Sequence, residues 1–171
     1  ELERIKVPSR KIKIFRYWVN LKVFTPLNRK KARIKLGWKK FTVFFVGRLI
    51  ETKGVLLFLD AFKNMDSDVN LVIAGSGPLA QNVKKAAAEI PNLQYLGRVD
   101  NTKLPLYYSA ADLVIVPSTV DEGFGFVVME ATACGTPVLA SNRGGLEDSV
   151  SPTTGRLIEP NAQNFADEIQ R

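Results

Sequence analysis

The chain has 171 residues, 46% of them hydrophobic and 24% charged, enough for one well-packed domain and too few for two ordinary ones. A single cysteine excludes an internal disulfide, and the absence of histidine excludes imidazole bases and histidine-ligated metals from this chain, leaving carboxylates, lysine and tyrosine for proton transfer. The net charge of +7 is divided: Glu1 to Lys40 holds 14 basic and 2 acidic residues (+12), whereas Phe41 to Arg171 holds 10 basic and 15 acidic (−5).

The basic quarter comes first. Its tracts SRKIKIF (Ser9 to Phe15) and NRKKARIK (Asn28 to Lys35) read as a solvated surface helix or linker, with Phe15, Tyr17 and Trp18 spaced for packing. Attraction to an anionic membrane surface is the second reading, and nucleic acid is not expected as a partner. No apolar run approaches the ~20 residues of a membrane helix, and the N-terminus lacks the layout of a signal peptide, so the expectation is a cytoplasmic chain.

From Phe41 onward apolar, β-branched runs (FTVFFVG, NLVIAG, LQYLG, LVIVPS, PVLAS and a weaker GRLIEP) alternate with helical stretches. The helices are KGVLLFLDAFKNM, PLAQNVKKAAAEI, TKLPLYYSAAD, FGFVVMEATAC and one beginning near Asn161. This alternation predicts an α/β fold: a Rossmann-like three-layer domain with a parallel sheet over residues 41–171, preceded by a basic segment, linker and first packing elements over residues 1–40. Ligands of such sheets bind outside the carboxyl ends of the strands, where Gly47-Arg48, Gly75-Ser76-Gly77, Gly97-Arg98, Ser118 to Gly125 and Ser141 to Gly145 fall.

Three of these exits carry chemistry. In GRLIETKG, Arg48 leaves a strand and Lys53 stands at the start of a helix, two cations that suit a diphosphate; the alternative is that Arg48 pairs with Glu51 or Glu130 and Lys53 is solvated. Gly75 to Ala80 fits GxGxxA, the phosphate-cradling turn of dinucleotide domains, but no acid falls at the end of the next strand, so a plain tight turn is favoured. In DEGFGFVVMEATACG, Glu130 lies in a segment whose only other polar side chain from Phe126 to Cys134 is Thr132. An unpaired buried carboxylate costs on the order of several kcal/mol, so Glu130 has an internal partner or faces a cleft whose occupant supplies donors. The amides after Glu122 suit a phosphate, Glu130 suits the vicinal diol of a ribose, and Glu122 suits hydroxyls of a second sugar. Asp66-Ser67-Asp68 has a DxD form but falls at the opposite end of the sheet and reads as a surface turn. Cys134 reads as a buried structural thiol before the helix stop Gly135.

EGFGFVVME resembles the EGFGxxxxE element of retaining glycosyltransferases of the two-Rossmann-domain (GT-B) architecture, in the family-4 group called glycosyl transferases group 1. FVGRLIETKG, LVIAGSGPL, YLGRV, LYYSAADLVIVPS, ACGTPVLAS, Gly144-Gly145 followed by Glu147, and GRLIEP match in order, so the resemblance runs from about Val19 to the end. It implies that Arg48, Lys53 and Glu122 serve catalysis, the two cations holding the donor diphosphate and neutralising the leaving nucleotide. It also implies that Glu122 contacts the transferred sugar, that Gly123, Phe124, Gly125 and Phe126 supply amides, that Glu130 holds the ribose, and that the main chain at Arg98 and Val99 borders the base.

The implied donor is a nucleoside-diphosphate sugar, GDP- or UDP-linked, carrying a hexose such as mannose or glucose to a glycan or lipid-linked acceptor, without cofactor or metal. A complete enzyme of this kind has an N-terminal acceptor domain. The chain is therefore expected to be the C-terminal donor-binding half, inactive in transfer alone, cytoplasmic and peripheral at the inner membrane surface. The other readings are a nucleotide-binding Rossmann module without transferase activity and, further off, a sugar phosphorylase or nucleotide-sugar epimerase.

Overall fold

The computed structural model describes residues 4–13, 17–63, 65 and 68–171; Phe15 and the Asp66-Ser67 part of the DxD sequence lie outside them. Six strands form one sheet: β1 (Phe41–Arg48), β2 (Val69–Ser76), β3 (Leu93–Gly97), β4 (Leu113–Val116), β5 (Val138–Ser141) and β6 (Gly155–Ile158). All pairings are parallel and the order is β3-β2-β1-β4-β5-β6. The helices are α1 (Arg29–Leu36), α2 (Val55–Lys63), α3 (Ala80–Glu89), α4 (Leu104–Ala110), α5 (Phe126–Ala133), α6 (Leu146–Ser149) and α7 (Ala162–Gln170). This is the α/β, Rossmann-like arrangement expected from the alternation of runs.

Successive strand residues point to opposite faces, and both faces are covered, which is why the strands read as unbroken apolar runs. Val43, Phe45, Leu71, Ile73, Ile115 and Leu139 pack under α2, α3 and α7 with Phe58, Phe62, Val83, Phe165 and Ile169. Phe44, Val72, Val114, Val138 and Ala140 pack on the other face with Tyr108 of α4, Val128 of α5, and with Phe24, Ala32 and Trp38 from the basic quarter.

One local feature settles an alternative that the sequence reading left open, and two depart from that reading. The tract NRKKARIK is a helix capped by Asn28, whose side chain accepts the Lys31 N–H at 3.0 Å. The helix expected from Lys53 begins at Val55, because Glu51–Lys53 forms a 3-10 turn first. The short α6 was not foreseen, since four residues leave too little periodicity to read.

Asp112, between α4 and β4, ties α1 to the sheet. Its Oδ2 accepts from Arg33 at 2.6 Å and from the Thr42 N–H at 2.8 Å, while Oδ1 pairs with Arg29. Asp112 and Arg33 are only 16% and 18% exposed, so each depends on the other for its desolvated charge. Asp112→Ala is expected to lower stability by about 2 to 3 kcal/mol, read as a reduced urea midpoint at unchanged slope.

Candidate functional site

The chain crosses the sheet in one direction from β1 to β3 and in the other from β4 to β6, so the helices that follow β1 and β4 lie on opposite faces and the exits of these two strands part. After β1 the chain turns through Leu49 and the 3-10 turn that carries Lys53. Gly54 closes that turn with φ 68°, in the left-handed region, and a Cβ there would lie 1.7 Å from the Pro117 carbonyl oxygen. The turn therefore seats directly on the exit of β4, and the Thr119 N–H donates to the Thr52 carbonyl at 3.0 Å.

A cavity of about 140 Å³ opens between the two exits, bounded by Gly47, Lys53, Ser118, Glu122, Phe124 and Phe126 among others. Inside it, the Lys53 ammonium and the Ser118 hydroxyl both donate to Oε1 of Glu122. Ser118 is buried and Lys53 and Glu122 are partly buried, so this three-membered contact is screened from bulk water. The loop from Glu122 to Gly125 is pinned from its far side: Gly145 N–H donates to the Glu122 carbonyl at 2.6 Å, and Gly144, at φ 54°, has no room for a Cβ against that backbone. The helix α5 then starts at Phe126 with no side chain capping Gly125, which leaves first-turn amides for a ligand. Tyr17 lies over this loop, its ring 4.7 Å from Phe124 and 5.2 Å from Phe126.

Of the residues singled out in the sequence, Lys53, Glu122, Phe124, Gly125 and Phe126 meet at the cavity, whereas Arg48, Arg98, Val99, Gly123 and Glu130 are not among its lining. Arg48 emerges exposed at the end of β1 and, among the described residues, makes no ion pair with Glu51 or Glu130. Arg98 and Val99 follow β3, two strands away from β1. Glu130 is one helical turn beyond Phe126 on the same face, and its Oε2 accepts from the Tyr108 hydroxyl at 2.7 Å. Of the two possibilities for this acid, the internal partner exists. Burial pushes the Glu130 carboxyl above its ordinary value, opposed by the Tyr108 hydrogen bond. The Tyr108 phenol is pushed well above its own, by burial and then by the Glu130 charge.

The glycine turn after β2 is filled by the chain itself: Leu49 N–H donates to the Ser76 carbonyl at 2.9 Å, and Leu79 N–H to the Leu49 carbonyl at 2.9 Å. The neighbour that approaches these glycines is thus the β1 exit, which agrees with a plain tight turn. Asp68 of the DxD sequence is 95% exposed and 3.8 Å from Lys40. Cys134 is buried, and burial followed by the Glu130 charge pushes its thiol up to about 11.

Residues 28–171 match the family model described as glycosyl transferases group 1. The chain belongs to the glycosyl transferases group 1 family. It is 34% identical over 166 residues to a D-inositol 3-phosphate glycosyltransferase of Paenarthrobacter aurescens, covering 89% of this chain and 40% of that one. It is 31% identical over 156 residues to a GDP-mannose-dependent monoacylated alpha-(1-6)-phosphatidylinositol monomannoside mannosyltransferase of Corynebacterium glutamicum, covering 82% and 41%. This group 1 chain thus spans about two fifths of the length of the curated relatives it matches. The crystal structure of the C-terminal domain of a group 1 family protein (LpcC) of Francisella tularensis superposes with a TM-score of 0.73 at 28% identity, over 89% of this chain and 86% of that one.

For this group 1 domain, the sequence reading put Ser118 at a strand exit without its role as donor to Glu122, and it missed Tyr108, donor to Glu130. Their positions, at a strand exit and inside an apolar helix, carry no mark of the acids they meet, because each pair is closed only by packing of separate elements. The raised Glu130 value has a definite sign. The folded state holds the Glu130 proton more tightly than the unfolded chain, so its contribution to stability is complete below the ordinary glutamate range and is lost as pH rises through the raised value. Glu130→Gln is expected to flatten this decline in denaturation curves recorded from about pH 4 to 7.

Proposed function

We propose that this chain is the donor-binding domain of a retaining glycosyltransferase, holding a GDP- or UDP-linked hexose, such as mannose or glucose, for transfer to a glycan or lipid-linked acceptor. The observation that carries the reading is the convergence of Lys53, Glu122 and the uncapped start of α5 on one cavity at the reversal of strand order. The name of the mannosyltransferase relative, with its GDP-mannose donor, supports a nucleotide sugar as ligand.

In this reading the ion pair between Lys53 and Glu122 opens when the donor enters. Lys53, with Arg48 swinging in from the edge, turns to the diphosphate, and the α5 amides of Gly125 and Phe126 complete the anion site. Glu122, relieved of the ammonium, accepts hydroxyls of the transferred sugar, while Gly123 and Phe124 border it. Glu130 accepts from the ribose, and the main chain at Arg98 and Val99 borders the base. Transfer with retention then breaks the bond between anomeric carbon and phosphate oxygen on the face where the acceptor oxygen attacks, and the departing phosphate takes the acceptor proton. Arg48 and Lys53 neutralise the charge that develops on the leaving diphosphate. Such a step asks for positioning and charge stabilisation, which these side chains provide without a metal or organic cofactor.

The acceptor wall belongs to an N-terminal domain of the same enzyme. The exposed Lys30, Lys31 and Lys35 on α1, beside Ile34 at 73% exposure, suit an anionic surface and support a peripheral site at the cytoplasmic face of the inner membrane.

Titration with GDP or UDP is expected to raise the melting temperature by an amount that grows as RT ln(1 + [L]/Kd). Lys53→Ala should weaken the diphosphate more than the bare nucleoside; equal weakening of both would point to collapse of the loop. Glu122→Gln should spare GDP and UDP and weaken only their hexose conjugates. The 171 residues alone should transfer no sugar, because a donor without a positioned acceptor forgoes an orientation advantage of up to ~7 to 11 kcal/mol. Efficient glycosylation of any acceptor by this chain alone, read by mass spectrometry, would overturn the division of labour.

A further inference from the structure

The acid assigned to the ribose is itself held from behind. Tyr108 has no exposed surface, and its ring lies between Phe44, edge-on at 5.6 Å, and Phe24 at 6.1 Å. Its backbone carbonyl accepts the Thr136 hydroxyl at 2.6 Å, so α4 is fastened to the turn that follows α5. From this anchored position the phenol reaches Oε2 of Glu130 at 2.7 Å. A phenylalanine would fill the same volume between the same rings; the hydroxyl adds only the bond to the carboxylate. Glu130 itself is partly exposed and lies three and four residues after Val127 and Phe126, both of which line the cavity.

We propose that Tyr108 is the positioning residue of the nucleotide site. Its hydroxyl holds Oε2 of Glu130 in place, so that Oε1 is presented to a ribose hydroxyl with its direction already set. A glutamate has three rotatable side-chain bonds, and one that is free must be ordered when the ligand binds; one already tethered through a buried phenol has been ordered by folding. The tether also matters electrically. A partly buried carboxylate without a donor favours its protonated form, which gives up an acceptor that the ribose needs, whereas the phenol hydrogen bond keeps the charged form accessible. This inference rests on the assignment of Glu130 to the ribose and adds the residue that makes the assignment workable.

Binding of GDP and UDP, and of their 2′,3′-dideoxy counterparts, is measured by calorimetry on the wild type, Tyr108→Phe, Glu130→Gln and the double variant. The wild type is expected to prefer the ribonucleotide. Tyr108→Phe is expected to lose most of that preference, about tenfold in ribonucleotide affinity, with dideoxynucleotide affinity unchanged. A hydroxyl with only a packing role would shift the melting temperature and leave the preference intact. The double variant should bind no more weakly than Glu130→Gln, since Tyr108 acts through the carboxylate. A wild type indifferent to the ribose hydroxyls overturns the role of Glu130 and this inference together. A wild-type preference retained in full by Tyr108→Phe overturns this inference alone. Should Tyr108→Phe fail to fold, the double variant, which leaves no carboxylate unpaired, decides: further loss of ribonucleotide binding relative to Glu130→Gln overturns the proposal, and equality supports it.

Discussion

Between β1 and β4 the chain reverses its direction of travel across the sheet, and the rest of the molecule is arranged around that reversal. Because every strand is parallel, each connection needs a crossover, and a crossover handed the same way each time must lie on one face when the chain moves left and on the other when it moves right. The helices after β1 and β4 are thereby carried to opposite faces, and a gap is left between the two strand ends. Lys53 enters the gap from the β1 side, Ser118 and Glu122 from the β4 side, and the start of α5 closes it. Gly54 lets the two sides touch without a side chain between them.

The opposed charges of the gap satisfy one another. Lys53 and Ser118 share one oxygen of Glu122, and Tyr108 takes one oxygen of Glu130, so both acids are supported by a hydroxyl from the same stretch of chain, α4 through the exit of β4. That stretch is in turn anchored at its middle by Asp112, which gathers Arg29, Arg33 and the Thr42 amide. The same few residues thus connect the basic helix at the start of the chain to the acids of the cavity. A hydroxyl brings no charge of its own to Glu130, whereas the Lys53 ammonium offsets the charge of Glu122.

Much of this was legible in the sequence. The short, β-branched apolar runs pointed to strands covered on both faces, and the helical periods between them argued for parallel pairing, so the Rossmann-like class was readable from the residue pattern. The placing of Lys53, Glu122 and Phe124 to Phe126 at one edge followed from the rule that loops after strands share an edge. Less legible was which of these residues face one another. Arg48 and Lys53, five residues apart, looked like a pair, yet the 3-10 turn carries Lys53 into the gap and leaves Arg48 at the exposed end of β1.

The sequence by itself determined the layers, the edge at which polar residues collect, and the presence of one acid, Glu130, that an apolar helix could not carry without a donor. These are consequences of local period and composition, which act over a few residues. Tertiary structure decided the partners: Tyr108 for Glu130, Ser118 and Lys53 for Glu122, and the Leu49 backbone for the glycine turn after β2. Tyr108 and Glu130 are 22 residues apart, and Lys53 and Glu122 are 69 apart. Contacts of that span are set by how helices seat on a sheet, and side chains meet across such distances only after the core has packed.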